Sequence, residues 1–326
     1  MIIKEADSRE EDLNTLEILL NHPQASFETK KLIDREIKNI RSGMRGEEEA
    51  AYEIRMRFKD NKNWYVIHDL RIEVDGLTAQ IDHVLINRFM EMFICESKRF
   101  FEGIAINEQM EFSAFYGGKP YGIPSPIEQN KKHVAILKKL FESEAVELPK
   151  RLGLSIKPKY ITNVLVSKNA RISRPSKKSN ELESIVKTDQ FISHIGKLVE
   201  NDNNPLTIVK LVGAATVEKL ARDMVNQHKP IKFNWAARFG LPNLLGIADS
   251  TLTNETYFFG QKATSPQIEA NEDSPKKKLI CHSCGTKISY KVGVFCWNNT
   301  KKFGGHAYCL DCQKNEQFSA SASVVQ

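Results

Sequence analysis

The sequence predicts a mixed α/β fold in which helices flank a central sheet. Apolar residues recur at helical spacing in two segments and alternate at strand spacing in four others. These segments follow one another as helix, strand, strand, strand, helix, strand, an order typical of a mixed sheet covered by helices. The helices are predicted over residues 46–58 and 127–141, and the strands over residues 64–70, 80–87, 92–98 and 160–167.

Two further helices are predicted before this core. One apolar stripe covers residues 13–20 and a second covers residues 32–40, both at helical spacing. The pair His22-Pro23 breaks the pattern between them. We expect both helices to pack on the core, and the alternative is that they extend a binding surface.

Five segments are predicted along the chain. The predicted linker, residues 231–275, is expected to be partly ordered by Phe233, Trp235 and Phe239. The predicted Ser/Ala-rich tail, residues 317–326, is expected to be disordered. Further core elements are expected as a strand pair over 104–115, a strand over 185–187, and helices over 189–200 and 216–227. The segments are an N-terminal helical segment (1–42), a core domain (43–230), a linker (231–275), a metal-binding module (276–316) and the tail (317–326).

Length and composition restrict the class of protein. The chain has 326 residues, 41% hydrophobic and 27% charged, which is ordinary for a soluble globular protein. Its net charge of +6 permits contact with a polyanion without establishing it. No apolar run has the length of a signal peptide or of a membrane span, so we expect a cytoplasmic protein without a membrane partner.

Charged residues at the end of an apolar strand form the central constellation. Glu96 and Lys98 share a face of the third strand, because side chains at i and i+2 project together. Asp82 can approach Glu96 if its strand is an antiparallel neighbour. Two close carboxylates repel unless a cation lies between them, and oxygen ligands suit Mg²⁺ or Mn²⁺. Glu47, on the apolar face of its helix, can supply a third carboxylate, and Lys98 can hold a water and stabilise a charged phosphate.

The arrangement resembles the PD-(D/E)XK nuclease superfamily and, more closely, its nuclease-related domain (NERD) family. The resemblance covers residues 43–141 well and residues 160–200 more loosely. It implies a restriction-endonuclease-like mixed central sheet and hydrolysis of nucleic-acid phosphodiesters, with DNA as the substrate and partner. The matching segments are Gly43-Met44-Arg45-Gly46-Glu47, Gln80-Ile81-Asp82-His83-Val84, Ile94-Cys95-Glu96-Ser97-Lys98, Gly103, and Pro126-Ile127-Glu128-Gln129-Asn130 with His133.

The resemblance also implies a role for each matching residue. Asp82 and Glu96 would ligate the metal, and the Ser97 carbonyl would complete its inner shell. Lys98 would orient or activate water, and Glu47 would bind the metal directly or through water. Gln129 would position the phosphate or Lys98. The family usually has an apolar residue where Ser97 stands and Asn where Arg99 stands, and neither departure removes a ligand.

Structural readings of the same residues stay open. Glu96 and Lys98 can form an ordinary ion pair on a solvated face, with Asp82 a strand-edge residue. Glu47 can be a first-turn acid that the helix dipole favours. Gln129 can hydrogen-bond at the helix N-terminus after Pro126, and for His133 a buried core histidine is the favoured reading.

The C-terminal cysteines predict a second metal site of a different kind. Cys281 and Cys284 form one Cys-x-x-Cys knuckle, and Cys309 and Cys312 form another after 24 intervening residues. Four thiolates close a tetrahedral structural Zn²⁺ site. Cys296 and His306 lie between the knuckles, and either can replace a ligand, although a buried Cys296 and a loop His306 are favoured. The segment resembles a zinc ribbon.

Basic and aromatic residues are interleaved in this segment, which suits backbone contact and base stacking. A structural or protein-binding module, in which the aromatic residues form a small core, is equally consistent. The residues concerned are Lys276, Lys277, Lys278, Lys287, Lys291, Lys301 and Lys302, with Tyr290, Phe295, Trp297 and Phe303.

Three functions follow from the sequence. The first is a Mg²⁺- or Mn²⁺-dependent nuclease whose zinc ribbon grips nucleic acid. The second is a non-catalytic nucleic-acid-binding or adaptor protein on a nuclease scaffold. The third is a defence component whose nuclease is switched on by a partner.

Overall fold

A computed structural model describes residues 1–177, 179–200, 211–242, 280–288, 292, 296, 303 and 306–314. The chain divides into two compact units, Met1–Pro266 and Gln267–Gln326. Most of the predicted linker (243–275), the predicted tail (317–326) and several of the ribbon's basic and aromatic residues lie outside the described residues. No helix of the described residues is both long enough and apolar enough to cross a membrane.

The strands of the first unit are β1 (Ile2–Lys4), β2 (Trp64–Val74), β3 (Leu77–Asn87), β4 (Glu91–Lys98), β5 (Gly103–Ile106), β6 (Phe112–Tyr116), β7 (Lys119–Ile123), β8 (Lys150–Arg151), β9 (Leu154–Ser155), β10 (Lys159–Val166), β11 (Arg171–Ser173) and β12 (Ile185–Lys187). Its helices are α1 (Glu10–Leu20), α2 (Phe27–Phe58), α3 (Pro126–Glu142), α4 (Asn180–Glu183), α5 (Phe191–Glu200), α6 (Ala214–Asn226) and α7 (Trp235–Arg238), with a 3₁₀ turn at Thr188–Gln190.

The central sheet is mixed, as the sequence predicts. Its six strands lie in the order β1-β2-β3-β4-β10-β12. The strands β2, β3 and β4 are joined by antiparallel pairing, whereas β4-β10, β10-β12 and β1-β2 are parallel pairs. A smaller sheet, in the order β11-β5-β6-β7, continues from the end of β4. The predicted mixed α/β fold class is confirmed.

Helices cover both faces of the central sheet. On one face Val84, Ile86, Met92 and Ile94 pack with residues of α3 and α6. On the other face the alternate residues, among them Phe93, pack with α2 and α5. Strand alternation therefore decides which helix each side chain of β3 and β4 meets.

One long helix replaces two predicted ones. The helices expected over residues 32–40 and 46–58 are both part of α2, which the Ser26 side chain caps by accepting a hydrogen bond from the Thr29 N–H. Gly46 lies inside this helix, where a Cβ would be 3.0 Å from the Cβ of Arg99. The glycine thus allows a close approach of α2 to the end of β4, at a cost of about 1 kcal/mol in helix propensity. It does not end a helix.

The N-terminal helices pack together around an aromatic residue from much later in the chain. Trp235 of α7 is buried with Leu16 of α1 and Ile33 of α2, and Phe233 and Phe239 flank it. The Trp235 indole N–H donates a hydrogen bond to Asp12 Oδ1 at 2.7 Å. The first described residues of the predicted linker therefore belong to the helical layer.

The second unit has one described helix, α8 (Leu310–Lys314), and a bridge between Ile280 and Lys287. Its buried cluster includes Ile288, Phe303 and Tyr308. Gly285 has φ +71, which suits the tight turn after the first knuckle.

Candidate active site

Antiparallel pairing of β3 and β4 brings the predicted carboxylates to the same end of the sheet. His83 pairs with Cys95 in this register, and Asp82 lies one position further on, opposite the Glu96 end of β4. One oxygen of Asp82, Oδ2, accepts a hydrogen bond from the Ser97 backbone N–H at 2.8 Å. Asp82, Glu96 and Lys98 are 7%, 2% and 7% exposed, so their charges act on one another away from bulk water.

This burial makes the negative charge of Asp82 costly. Burial and then the Glu96 carboxylate raise the pKa of Asp82 well above its usual range, although the Lys98 ammonium and the Ser97 N–H act in the opposite direction. A bound cation would relieve the same cost by favouring the ionised form.

Lys98 is the positive group of the cluster. Its Nζ donates a hydrogen bond to Glu96 Oε1 at 2.6 Å and another to Gln129 Oε1 at 3.1 Å. Gln129 comes from α3, whose N-cap is the Ser125 side chain. The alternative of a solvated ion pair is wrong, because Glu96 and Lys98 are buried.

The second oxygen of Glu96 faces a histidine. Glu96 Oε2 lies 4.0 Å from His133 Nδ1 on α3. Both atoms are buried, and neither has a hydrogen-bond partner among the described residues. A buried carboxylate oxygen without a partner is costly, and it is free for a ligand that prefers oxygen donors.

Glu47 lies on the other side of the site. It is half-buried on α2 and lines a cavity of about 1000 Å³ together with Asp82. Because α2 begins at Phe27, Glu47 is far inside the helix, and the first-turn explanation for this acid is wrong. Glu49 holds the helix here, since its Oε1 accepts hydrogen bonds from the Lys168 N–H and the Thr188 hydroxyl at 2.8 and 2.9 Å.

The donor set fits a hard divalent cation in its chemistry. Asp82 and Glu96 offer carboxylate oxygens, and Glu47 lies on the same large cavity as Asp82. The three carboxylates are not gathered tightly: within the part of the chain that is described, the cysteines of the second unit form the one cluster of three or more His, Cys, Asp or Glu side chains close enough to share an ion.

A polar chain behind the site was not predicted. On the α2 face, His68 Nδ1 and His83 Nδ1 are 2.8 Å apart, and His83 Nε2 lies 2.9 Å from the Ser97 hydroxyl. Burial, with the positive charges of Arg55 and Lys4, lowers the pKa of His68 to about 4. Burial also lowers the pKa of His83, so both rings are neutral and link three neighbouring strands. The signal in the sequence was Ser97 itself, a hydroxyl in place of an apolar residue.

The predicted zinc ligands converge in the second unit. The sulfurs of Cys281, Cys284, Cys309 and Cys312 all lie within 4.8 Å of one another. Burial would raise the pKa of Cys281, but hydrogen bonds from the N–H groups of Cys284, Cys309 and Ser283 outweigh it and lower the pKa to about 6. Such a cluster could bind Zn²⁺ in a tetrahedral site.

Cys296 and His306 stand outside this group. Cys296 is buried, and its sulfur accepts hydrogen bonds from the Tyr308 N–H at 3.3 Å and the Gln313 side-chain amide at 3.2 Å. His306 is exposed and stacks on His282, with ring centroids 3.9 Å apart. Four thiols are therefore present without either residue.

A known family model matches the part of the chain that holds this site. Residues 42–168 match the family model described as nuclease-related domain, NERD. The matched range contains Glu47, Asp82, Glu96, Lys98 and Gln129. Comparisons with curated proteins and with solved structures give no significant match.

Proposed function

We propose that the protein is a nuclease that hydrolyses phosphodiester bonds, with DNA as its substrate and Mg²⁺ or Mn²⁺ as its catalytic ion. The match of residues 42–168 to the nuclease-related domain model supports this proposal. One observation carries the proposal: Asp82, Glu96 and Lys98 are all buried and lie together at one end of the sheet. Two carboxylates and one ammonium, held away from solvent, are costly unless they serve a charged ligand.

Each residue has a part in this proposal. Asp82 and Glu96 hold the cation, with the Ser97 carbonyl beside them and Glu47 reaching it through water. When bound, the cation supplies Lewis-acid polarisation of the phosphate and lowers the pKa of a coordinated water. Lys98 Nζ, which Gln129 positions, stabilises the negative charge that develops on the phosphate oxygens.

The cysteine site has a separate role in the proposal. We assign Zn²⁺ to it as a structural ion, since four thiolates fill a tetrahedral shell and leave no open position for a substrate. Reduced thiols are required to hold the ion, so we place the protein in the cytoplasm. The zinc ribbon would grip nucleic acid through its own basic and aromatic residues.

Cleavage assays with matched variants test the proposal. Purified protein is incubated with circular, linear and single-stranded DNA in Mg²⁺ or Mn²⁺. We expect wild-type cleavage, and a loss of at least about a hundredfold in both site variants. Asp82→Asn removes a charged ligand of the cation, and Lys98→Met removes the ammonium that acts on the phosphate. Asp60→Asn and Lys132→Met make the same chemical changes at exposed positions and should cleave as the wild type does.

Two results would contradict hydrolysis at this site. Unchanged cleavage by both site variants would assign any activity to another part of the chain or to a contaminant. Metal-dependent DNA binding without cleavage, also in the presence of candidate partners, would favour the non-catalytic binder instead.

A further inference from the structure

A second cavity is lined by Lys98 and not by Asp82. It has a volume of about 230 Å³ and is lined by aromatic rings and basic side chains. The aromatic residues include Phe101, Phe115 and Tyr121, and the basic ones are Lys38, Lys98 and Arg99. Among the residues that the structure describes, no acidic residue lines this cavity.

Its charge is opposite to that of the larger cavity. Eight acidic residues, Asp82 and Glu47 among them, and five basic residues line the cavity of about 1000 Å³, so its lining is acidic in balance. The two cavities share Asn39 and Gly43 of α2, so this helix runs between an acidic side and a basic, aromatic side of the same site. The acidic side suits a cation, and the basic side suits a polyanion.

Phe101 is held in position although its side chain is in solvent. It is 89% exposed and lies in the loop between β4 and β5. The next residue, Glu102, fixes that loop to the β6–β7 turn, since its two oxygens accept hydrogen bonds from the Gly117 and Gly118 N–H groups at 2.6 and 2.8 Å. The ring therefore stands at the mouth of the cavity on an anchored loop.

We propose that this cavity binds one unpaired nucleobase of the substrate strand, stacked against Phe101. Lys38 and Arg99 then face the flanking phosphates, and the next phosphate along the strand reaches Lys98. The volume equals that of roughly eight water molecules, which is room for a single heterocycle and not for paired bases. The subsite rests on the proposed function, because it assumes that the phosphate at Lys98 belongs to a nucleic acid. It makes single-stranded or locally unpaired nucleic acid the substrate class.

Binding measurements test the subsite without turnover. The full-length, zinc-loaded protein is titrated into a fluorescent single-stranded oligonucleotide and into the same sequence as a duplex, with Ca²⁺ in place of Mg²⁺. Phe101→Leu removes one base stack, so this variant should bind the single strand about fivefold to a hundredfold more weakly than the wild type. Duplex binding should not change, and Phe101→Tyr, which keeps a ring, should bind as the wild type does.

An abasic scan with a matched control locates the base. One abasic position in the oligonucleotide should weaken wild-type binding by a similar factor, and should have no further effect on Phe101→Leu. Phe27→Leu makes the same change at a ring that is 80% exposed at the start of α2, and should leave binding unchanged.

The outcomes separate the subsite from the hydrolysis. Equal single-strand affinity of wild type and Phe101→Leu, no measurable single-strand binding by the wild type, or a full abasic penalty in the variant would each overturn the subsite, even if the wild type cleaves DNA. A Phe101-dependent abasic penalty in a protein that cleaves nothing would support the subsite and count against hydrolysis.

Discussion

Asp82 is placed where its charge is unfavourable in the protein without a cation. Burial and the neighbouring Glu96 raise its pKa, whereas in the unfolded chain the carboxyl ionises at its ordinary pKa. Between these two pKa values the folded protein binds a proton that the unfolded chain releases. The stability of the fold therefore falls as the pH rises through this interval.

Asp82→Asn should consequently stabilise the protein at neutral pH in the absence of divalent ions. Since folding raises the pKa of Asp82, its ionised carboxylate costs stability at neutral pH, and we expect Asp82→Asn to have the higher Tm. The gain should shrink as the pH approaches the ordinary range of a carboxyl group. Thermal unfolding in chelator across a pH series measures both effects.

Added Mg²⁺ or Mn²⁺ provides the complementary measurement. The ion should raise the Tm of the wild type. At a hundred times its Kd it should add about 2.7 kcal/mol to the free energy of unfolding. The Tm of Asp82→Asn should not change. A variant that is less stable than the wild type at every pH would contradict the unfavourable placement of this charge.

The sequence predicted the site residues that alternation controls. It placed Glu96 with Lys98 on one face, and Asp82 near Glu96 provided that β3 and β4 are antiparallel, which they are. It did not predict the His68–His83–Ser97 chain, because that chain depends on the register of β2 against β3. These two strands form a hairpin across Asp75-Gly76, which fixes their register. The sequence prediction ended the first strand at residue 70 and began the second at residue 80, so it left this register undetermined.

Among the elements, α2 shows where local propensity misleads. The sequence predicted separate helices over residues 32–40 and 46–58. The helix continues because Gly46 packs closely on Arg99, so tertiary contact outweighs propensity. At Gly103, by contrast, φ is +127 and a Cβ would lie 2.2 Å from the Arg171 carbonyl oxygen, so the backbone itself requires this glycine.

The layer of α1, α2 and α7 depends on one aromatic side chain. Trp235 is 2% exposed between the helices and also hydrogen-bonds to Asp12. Trp235→Ala should cost about 3–5 kcal/mol within this layer, as large-to-small core substitutions do. Hydrogen exchange should then be faster in α1 and in the first half of α2, while β3 and β4 keep their protection.

Met56→Ala is the control for this prediction, because Met56 is 71% exposed on the same helix α2. Its effect on stability should stay within about 0.5 kcal/mol. Equal acceleration of hydrogen exchange in the helices and in the central strands would contradict the prediction. It would mean that the helical layer and the sheet unfold together.

At the scale of the whole molecule, the two compact units depend on different kinds of stabilisation. Met1–Pro266 buries three strand-and-helix clusters and the cluster around Trp235. Gln267–Gln326 has a small described core, in which Cys281 and Cys296 are themselves buried members. The single apolar core of a unit this small rarely supplies more than about 3–5 kcal/mol.

Zinc should therefore control the folding of the second unit and leave the first unit folded. Binding of Zn²⁺ to four cysteines contributes about 10–16 kcal/mol in small zinc modules. Wild-type protein should hold one ion per chain by elemental analysis, and Cys309→Ser, which removes a ligand, should lose it. Cys296→Ala should retain the ion, because Cys296 lies outside the four-cysteine group.

Limited proteolysis should then cleave the Cys309→Ser variant within residues 267–326. The first unit should persist with its Tm unchanged, because its core contains none of the four ligands. Retention of zinc by Cys309→Ser, or its loss from Cys296→Ala, would show that a different set of residues holds the ion.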